Sequence, residues 1–229
     1  MCGRARLSSD VSEIKLVFRI PPERLTPNIA PSWNVAPTDP LPVVRFDPRD
    51  RQRSLDVMRW GLIPYWAKDI KIGFSTFNAR AEDIDTKPAF REAFRQRRCL
   101  VPLDNFYEWQ KTATGKQPYA IGLKDGGLMG MAGLWESWRS PAGERTRSFT
   151  IVTTKPNELC AQLHNRMPVV LKPDVWPQWL GEEPAPVPEL KAMLAPYPSD
   201  DMICWPVSPR VGNVKNNDPS LIGPVAAVG

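Results

Sequence analysis

Cysteine is scarce and badly spaced for staples: Cys2, Cys99, Cys160 and Cys204 lie far apart, with no short C-x-x-C pair. That pattern argues against a disulfide framework and against structural zinc, so at least one thiol needs another explanation. Long apolar runs are missing too. The stretch around Gly130 to Leu134 falls far short of the roughly 20 residues a membrane span needs, and no apolar leader opens the chain. The expected location is therefore cytoplasmic, nucleoid-associated in a bacterium and nuclear in a eukaryote, with no membrane partner. Histidine is almost absent, since His164 is the sole one in 229 residues. No internal repeat is visible, and no metal or organic cofactor site is legible.

What is present reads as an ordinary globular chain. Hydrophobic residues make up 42% and charged residues 24%, which excludes a disordered or fibrous class. One domain over residues 1–229 is expected, with a core at about 2–220 and a short C-terminal tail. The formal net charge of +5 is compatible with a polyanionic partner, although solvated surface accounts for most such excesses. Proline is common at 26 residues but scattered through turns, which points to long ordered loops.

Apolar spacing predicts a first helix at Ser9 to Arg19, stopped by Pro21 and Pro22. Short β-like runs follow at Leu41–Phe46, Leu55–Trp60, Cys99–Pro102, Phe106–Trp109, Tyr119–Leu123, Leu128–Trp135 and Phe149–Thr153. Helices are expected near Pro88–Arg97, Pro173–Leu180 and Val187–Leu194. The class is thus α+β, a largely antiparallel, curled or barrel-like sheet with flanking helices.

The chemistry starts at Met1-Cys2-Gly3-Arg4. A small second residue permits removal of Met1, which leaves Cys2 with a free α-amine and a thiol. The reference pKa values are about 8 for the amine and about 8.5 for the thiol, so both have reactive fractions near neutrality. An aldehyde would react first with the amine to an imine, and the thiol would then close a thiazolidine ring. The plain alternative is a chance cysteine serving as a small buried hydrophobe.

His164 is the natural proton carrier, because imidazole titrates near neutrality. It lies between an expected helix and the strand-like Val169 to Leu171, where a structural role is also open. Glu108 alternates with Tyr107 and Trp109, which places it on the opposite strand face and suits it to desolvation; an outward-facing glutamate is the alternative. Asn78 offers an amide that donates and accepts, and Arg80 follows on the same face. Arginine outnumbers lysine by 19 to 11, which favours bidentate phosphate contacts, while Arg95 to Arg98 reads as a solvated helix end. Nine tryptophans are present, and Trp60 to Trp66 reads as a loop presenting rings to unpaired bases, with Trp135 read as core.

Seven motifs in order carry a resemblance. They are Met1-Cys2-Gly3-Arg4, Trp33 to Thr38 (WNVAPT), Trp60 to Pro64 (WGLIP), Asn78 to Glu82 (NARAE), Phe106 to Trp109 (FYEW), His164 to Pro168 (HNRMP) and Val211 to Asn216 (VGNVKN). Together they resemble the SRAP (SOS-response-associated peptidase) family. The resemblance implies a monomeric protein that recognises abasic sites in single-stranded DNA at replication forks and captures them as a thiazolidine on Cys2. By position it implies Cys2 as nucleophile, Asn78 orienting the reacting centre, and Glu108 and His164 moving protons. It further implies DNA contacts at Arg4, Asn34, Trp66, Arg80, Thr153 and Arg166, with Ser208, Arg210 and Lys215 as weaker candidates, plus peptidase action on Met1 and abasic-site lyase activity. Two other readings remain open on the residues alone. N-terminal-nucleophile glutamine amidotransferases also begin Met-Cys-Gly, though usually with a large synthase domain, and a non-catalytic single-strand-binding module would leave Cys2 incidental.

Overall fold

The computed structural model describes residues 2–113 and 115–227. Met1, on whose removal the N-terminal chemistry depends, lies outside the described residues. The first helix, α1 (Val11–Val17), begins where Asp10 accepts a hydrogen bond from the Ser12 amide and buries Ile14. Each expected β run forms a strand, most of them longer than the apolar core that announced them. These are β3 (Pro40–Asp47), β4 (Gln52–Trp60), β6 (Arg98–Leu103), β7 (Asn105–Thr112), β8 (Gly115–Leu123), β9 (Met129–Arg139) and β10 (Arg145–Thr154). Four further strands lack a clear alternating signature: β1 (Ala5–Leu7), β2 (Ser32–Val35), β5 (Asn78–Arg80) and β13 (Met202–Pro206). Two-residue strands β11 (Met167–Pro168) and β12 (Val170–Leu171) complete the set among the described residues.

The sheets explain the α+β class. Strands β10, β4, β3, β6 and β9 pair in sequence, and β9 pairs back to β10, so the ladder closes on itself as a small barrel. Closure removes the free sheet edges that would invite aberrant pairing. Most pairings are antiparallel, whereas β10 runs parallel to both β4 and β5. A second sheet of order β13-β8-β7-β1-β2 lies alongside. One large apolar cluster joins them and includes Cys2, Trp60, Phe94, Phe106, Phe149 and Trp179, while a smaller one gathers Tyr107, Ala120, Val207, Val211 and Leu221.

The helices α2 (Arg91–Gln96), α3 (Glu158–Ala161), α4 (Trp176–Leu180) and α5 (Val187–Ala192) are short. Isolated helices of that length are unstable in water, so packing must hold them. At α2 one expectation is corrected: Arg98 is not merely a solvated helix end. Its guanidinium donates to the Trp179, Phe94 and Arg95 carbonyls at 2.6, 2.8 and 3.0 Å, and its pKa is lowered by burial. Arg97 pairs with the buried Glu136 at 2.9 Å. Basic residues at a helix C-terminus satisfy carbonyls that the helix itself leaves open.

The parallel β4–β10 pairing obliges the chain to leave β4 and return before β5. Gly61 makes that exit at φ +121°, and the backbone of Gly73 passes against it, so that a Cβ on Gly61 would meet the Gly73 oxygen at 2.6 Å. The excursion between these glycines carries Tyr65 and Trp66, both largely exposed. Gly61→Ala is expected to lower unfolding free energy by about 3 kcal/mol, since it adds backbone strain to a backbone clash. Urea unfolding monitored by tryptophan fluorescence would show this, and an unchanged midpoint would refute the close approach.

Candidate active site

The N-terminal segment enters the fold by pairing. Ala5 sits opposite Val35 of β2 and Phe106 of β7, and the Tyr107 amide donates to the Arg4 carbonyl at 3.0 Å. That threading carries Cys2 into the main core, where its side chain is fully buried. Burial first, and the neighbouring Glu108 carboxylate second, push the Cys2 thiol far above its ordinary value. The thiol is therefore held protonated at neutral pH.

Glu108 lies on β7 opposite Tyr119 and is 5% exposed. The alternation expected along this strand is found: Phe106 packs in the main core, whereas Tyr107 and Trp109 join the smaller cluster. Glu108 shares the Phe106 side, because side chains two apart on a strand face the same way. The thiol of Cys160 on α3 is raised to about 12 by burial, then by Cys204 and Glu108. Cys160 was not foreseen as part of this group. Its one available signal was a position four residues before His164.

The turn that ends α3 presents His164, whose amide donates to the Cys160 carbonyl at 2.9 Å. His164 Nδ1 faces the Arg166 backbone, 3.0 Å from its amide nitrogen and 3.3 Å from its carbonyl oxygen. His164 lines a cavity of about 750 Å³ together with Trp109, Lys111, Leu163 and Asn165. Cys2, Asn78 and Glu108 do not line this cavity. Asn78 pairs with Ile151 across β5 and β10, its Nδ2 donates to the Phe77 carbonyl at 3.0 Å, and its buried Oδ1 has no hydrogen-bond partner among the described residues. A buried acceptor left unmatched costs about 1–3 kcal/mol, which fits a group reserved for a substrate donor.

The candidate DNA contacts divide by environment. Thr153 of β10 pairs with Arg80 on one edge and Pro168 on the other, which brings the HNRMP and NARAE segments together. Arg80 is exposed, Thr153 is buried, and Arg166 donates to the Thr153 carbonyl at 2.6 Å and to Glu82 through both terminal nitrogens. Trp66 is 48% exposed on the excursion described above. Arg4 and Asn34 have structural partners: Arg4 Nη1 donates to Asn34 Oδ1 at 2.9 Å, and the Arg4 guanidinium lies over the Trp109 ring at 5.8 Å. Buried Asn34 Nδ2 in turn donates to the carbonyls of Val211, Asn213 and Asn216 at 3.2, 3.0 and 2.7 Å. The WNVAPT and VGNVKN motifs are therefore one clasp. Ser208 caps a short turn, Arg210 pairs with Asp218 at 2.8 Å, and Lys215 is exposed.

The order of these motifs along the chain has a counterpart in a family model. The model for SOS response associated peptidase (SRAP) matches residues 1–214. The chain belongs to the SRAP family. It is 42% identical over 223 residues to the abasic site processing protein YoqW of Bacillus subtilis, covering 97% of this chain and 99% of that protein. It is 31% identical over 264 residues to the abasic site processing protein HMCES of Gallus gallus, covering 98% of this chain and 78% of that one. Among solved structures, an SRAP chain of this architecture is matched by a protein from Bacteroides thetaiotaomicron. The TM-score is 0.89 at 25% identity, covering 98% of this chain and 100% of that one.

The buried thiols give this SRAP fold a pH limit. Cys2, Cys99 and Cys160 all have raised values, with burial the leading cause in each. A raised folded-state pKa contributes stability that is complete below the unfolded thiol value near 9.0 and is lost as pH rises from there through the folded value, about 12 for Cys160. The urea midpoint is expected to hold steady up to about pH 8 and to fall between about pH 9 and 12. Cys160→Ala should make that alkaline fall shallower, and an identical fall in the variant would refute the assignment.

Proposed function

We propose that this protein captures abasic sites in single-stranded DNA as a thiazolidine crosslink on Cys2, after Met1 has been removed. The observation that carries the reading is that Cys2 is fully buried in the main core together with Phe106, on the same side of β7 that bears the buried Glu108. Added support comes from the unmatched Asn78 acceptor, the placement of His164 on the rim of a cavity, and relatives that are themselves named abasic site processing proteins.

The chemistry runs in two additions. The ring-opened sugar presents an aldehyde at C1′, which the neutral α-amine of Cys2 attacks to give a carbinolamine. Loss of water yields the imine. The Cys2 sulfur then adds to the imine carbon, and its proton is delivered to the nitrogen, closing a five-membered ring. One water is the only species released. A thiol kept protonated does not compete with the amine for the aldehyde, and Glu108 is the base beside it that relays its proton at ring closure. Glu108 and His164 serve proton transfer during ring opening and reversal, while Asn78 accepts a hydrogen bond that orients the sugar. The exposed Trp66 and Arg80 supply stacking and phosphate attraction.

The same Schiff base is the branch point for lyase action, since β-elimination from it would cleave the strand. Peptidase action would be confined to hydrolysis of the Met1–Cys2 bond. Both are parts of the proposal, as is action by a monomer at replication forks.

Wild-type protein whose mass shows loss of Met1 is expected to shift abasic single-stranded DNA on a denaturing gel without any reductant. Cys2→Ala retains an α-amine once processed, so it should lose that shift yet still form an adduct when borohydride reduces the imine. Failure of the processed wild-type protein to give a reductant-independent adduct would sink the proposal. An undiminished adduct from Cys2→Ala would assign the chemistry to another residue.

A further inference from the structure

Resting on the reading that Arg166 and Arg80 face DNA phosphate, we propose that Glu82 occupies the phosphate position on Arg166 and must be displaced when single-stranded DNA binds. The geometry of the guanidinium leads to this. Arg166 Nη1 donates to Glu82 Oε1 at 2.5 Å and Nη2 to Oε2 at 2.9 Å, so the carboxylate fills the end-on edge of the fork. The second Nη2 hydrogen is committed to Thr153, at 2.6 Å to its carbonyl oxygen and 3.2 Å to Oγ1. What remains is Nε–H and one Nη1–H, which lie on different edges of the planar group. No complete edge is left for a two-point phosphate contact while Glu82 stays.

Glu82 is suited to leave. Its side chain is 50% exposed, whereas that of Arg166 is 13% exposed and fixed from below by Thr153. Its backbone is held independently of that side chain, because the adjacent Ala81 amide donates to the Thr153 carbonyl at 2.9 Å. The side chain can therefore swing outward without unpairing the segment. Arg80 Nε approaches the same carboxylate at 3.7 Å, so the carboxylate sits between two guanidiniums. Two positive groups with one negative between them leave one net charge, and departure of the carboxylate uncovers both. The hydrogen bond from Arg166 also holds the Glu82 carboxyl below its ordinary range, which keeps this occupant ionised at neutral pH.

The consequence is a threshold on binding. A strand without a reactive aldehyde must compete with a tethered carboxylate and is released, whereas an abasic strand is retained by the covalent bond. Glu82 is thus a specificity-determining residue acting through Arg166, and it weakens contact with undamaged DNA.

The test uses fluorescence anisotropy with a labelled, undamaged single-stranded oligonucleotide, which requires no crosslink. Glu82→Gln is expected to bind roughly fivefold tighter than wild type, as loss of one charge-assisted pair allows. Its plot of log affinity against log salt should steepen by about 0.7, the slope for one further phosphate on a single strand. In an Arg166→Gln background the Glu82→Gln substitution should bring no further gain. Glu82→Asp keeps the charge on a stem one methylene shorter and should fall between the two. Equal or weaker binding by a Glu82→Gln protein that melts like wild type would overturn the inference, as would an undiminished gain without Arg166. Wild-type protein that binds no single-stranded DNA would overturn the proposed function as well, whereas normal wild-type binding with an inert Glu82→Gln overturns this inference alone.

Discussion

Strand β10 has two backbone edges, and each is shared by two segments. One edge pairs with β9 through Ile151 and then with β11 at Thr153 and Thr154. The other pairs with β4 at Ser148 and Phe149 and then with β5 from Ile151 to Thr153. A buried strand must satisfy its amides and carbonyls along its whole length, so the four partners are obliged to abut one another. That requirement closes the barrel. It also delivers Asn78 and Arg80 to one side of Thr153 and the HNRMP segment to the other.

The second sheet places Cys2 by the same kind of constraint. Threading β1 between β2 and β7 buries Cys2 and aligns it with the face of β7 that carries Glu108. The Arg4–Asn34 contact and the three carbonyls gripped by Asn34 then hold the 211–216 loop against this segment. Three motifs distant in sequence are thereby tied to one short strand. Burial is also the leading reason that the Cys2 thiol is raised.

Charge is managed differently on the open flank. There the guanidinium of Arg166 is oriented by Thr153 and met by Glu82, while Arg80 and Trp66 remain exposed.

Much of this was legible from residue order. Two-residue alternation placed Glu108 opposite Tyr107 and Trp109, apolar spacing located α1 and the seven longer strands, and seven ordered motifs pointed to the SRAP family. These features are local, set by side-chain periods of 2 and 3.6, and so they survive in a one-dimensional string. Strands β1, β2, β5 and β13 were not, since three to five residues hold too little alternation to register. The sequence by itself determined the seven longer strands, which side of β7 bears the carboxylate, and that a small residue, Cys2, follows Met1. Only the tertiary structure decided that β10 would run parallel to β4 and β5, that Asn34 would clasp a loop, that Arg98 would cap α2, and that Glu82 would sit on Arg166. Partners far apart in sequence leave no periodic trace, because the hydrogen bonds and ion pairs that join them arise only once the barrel has closed.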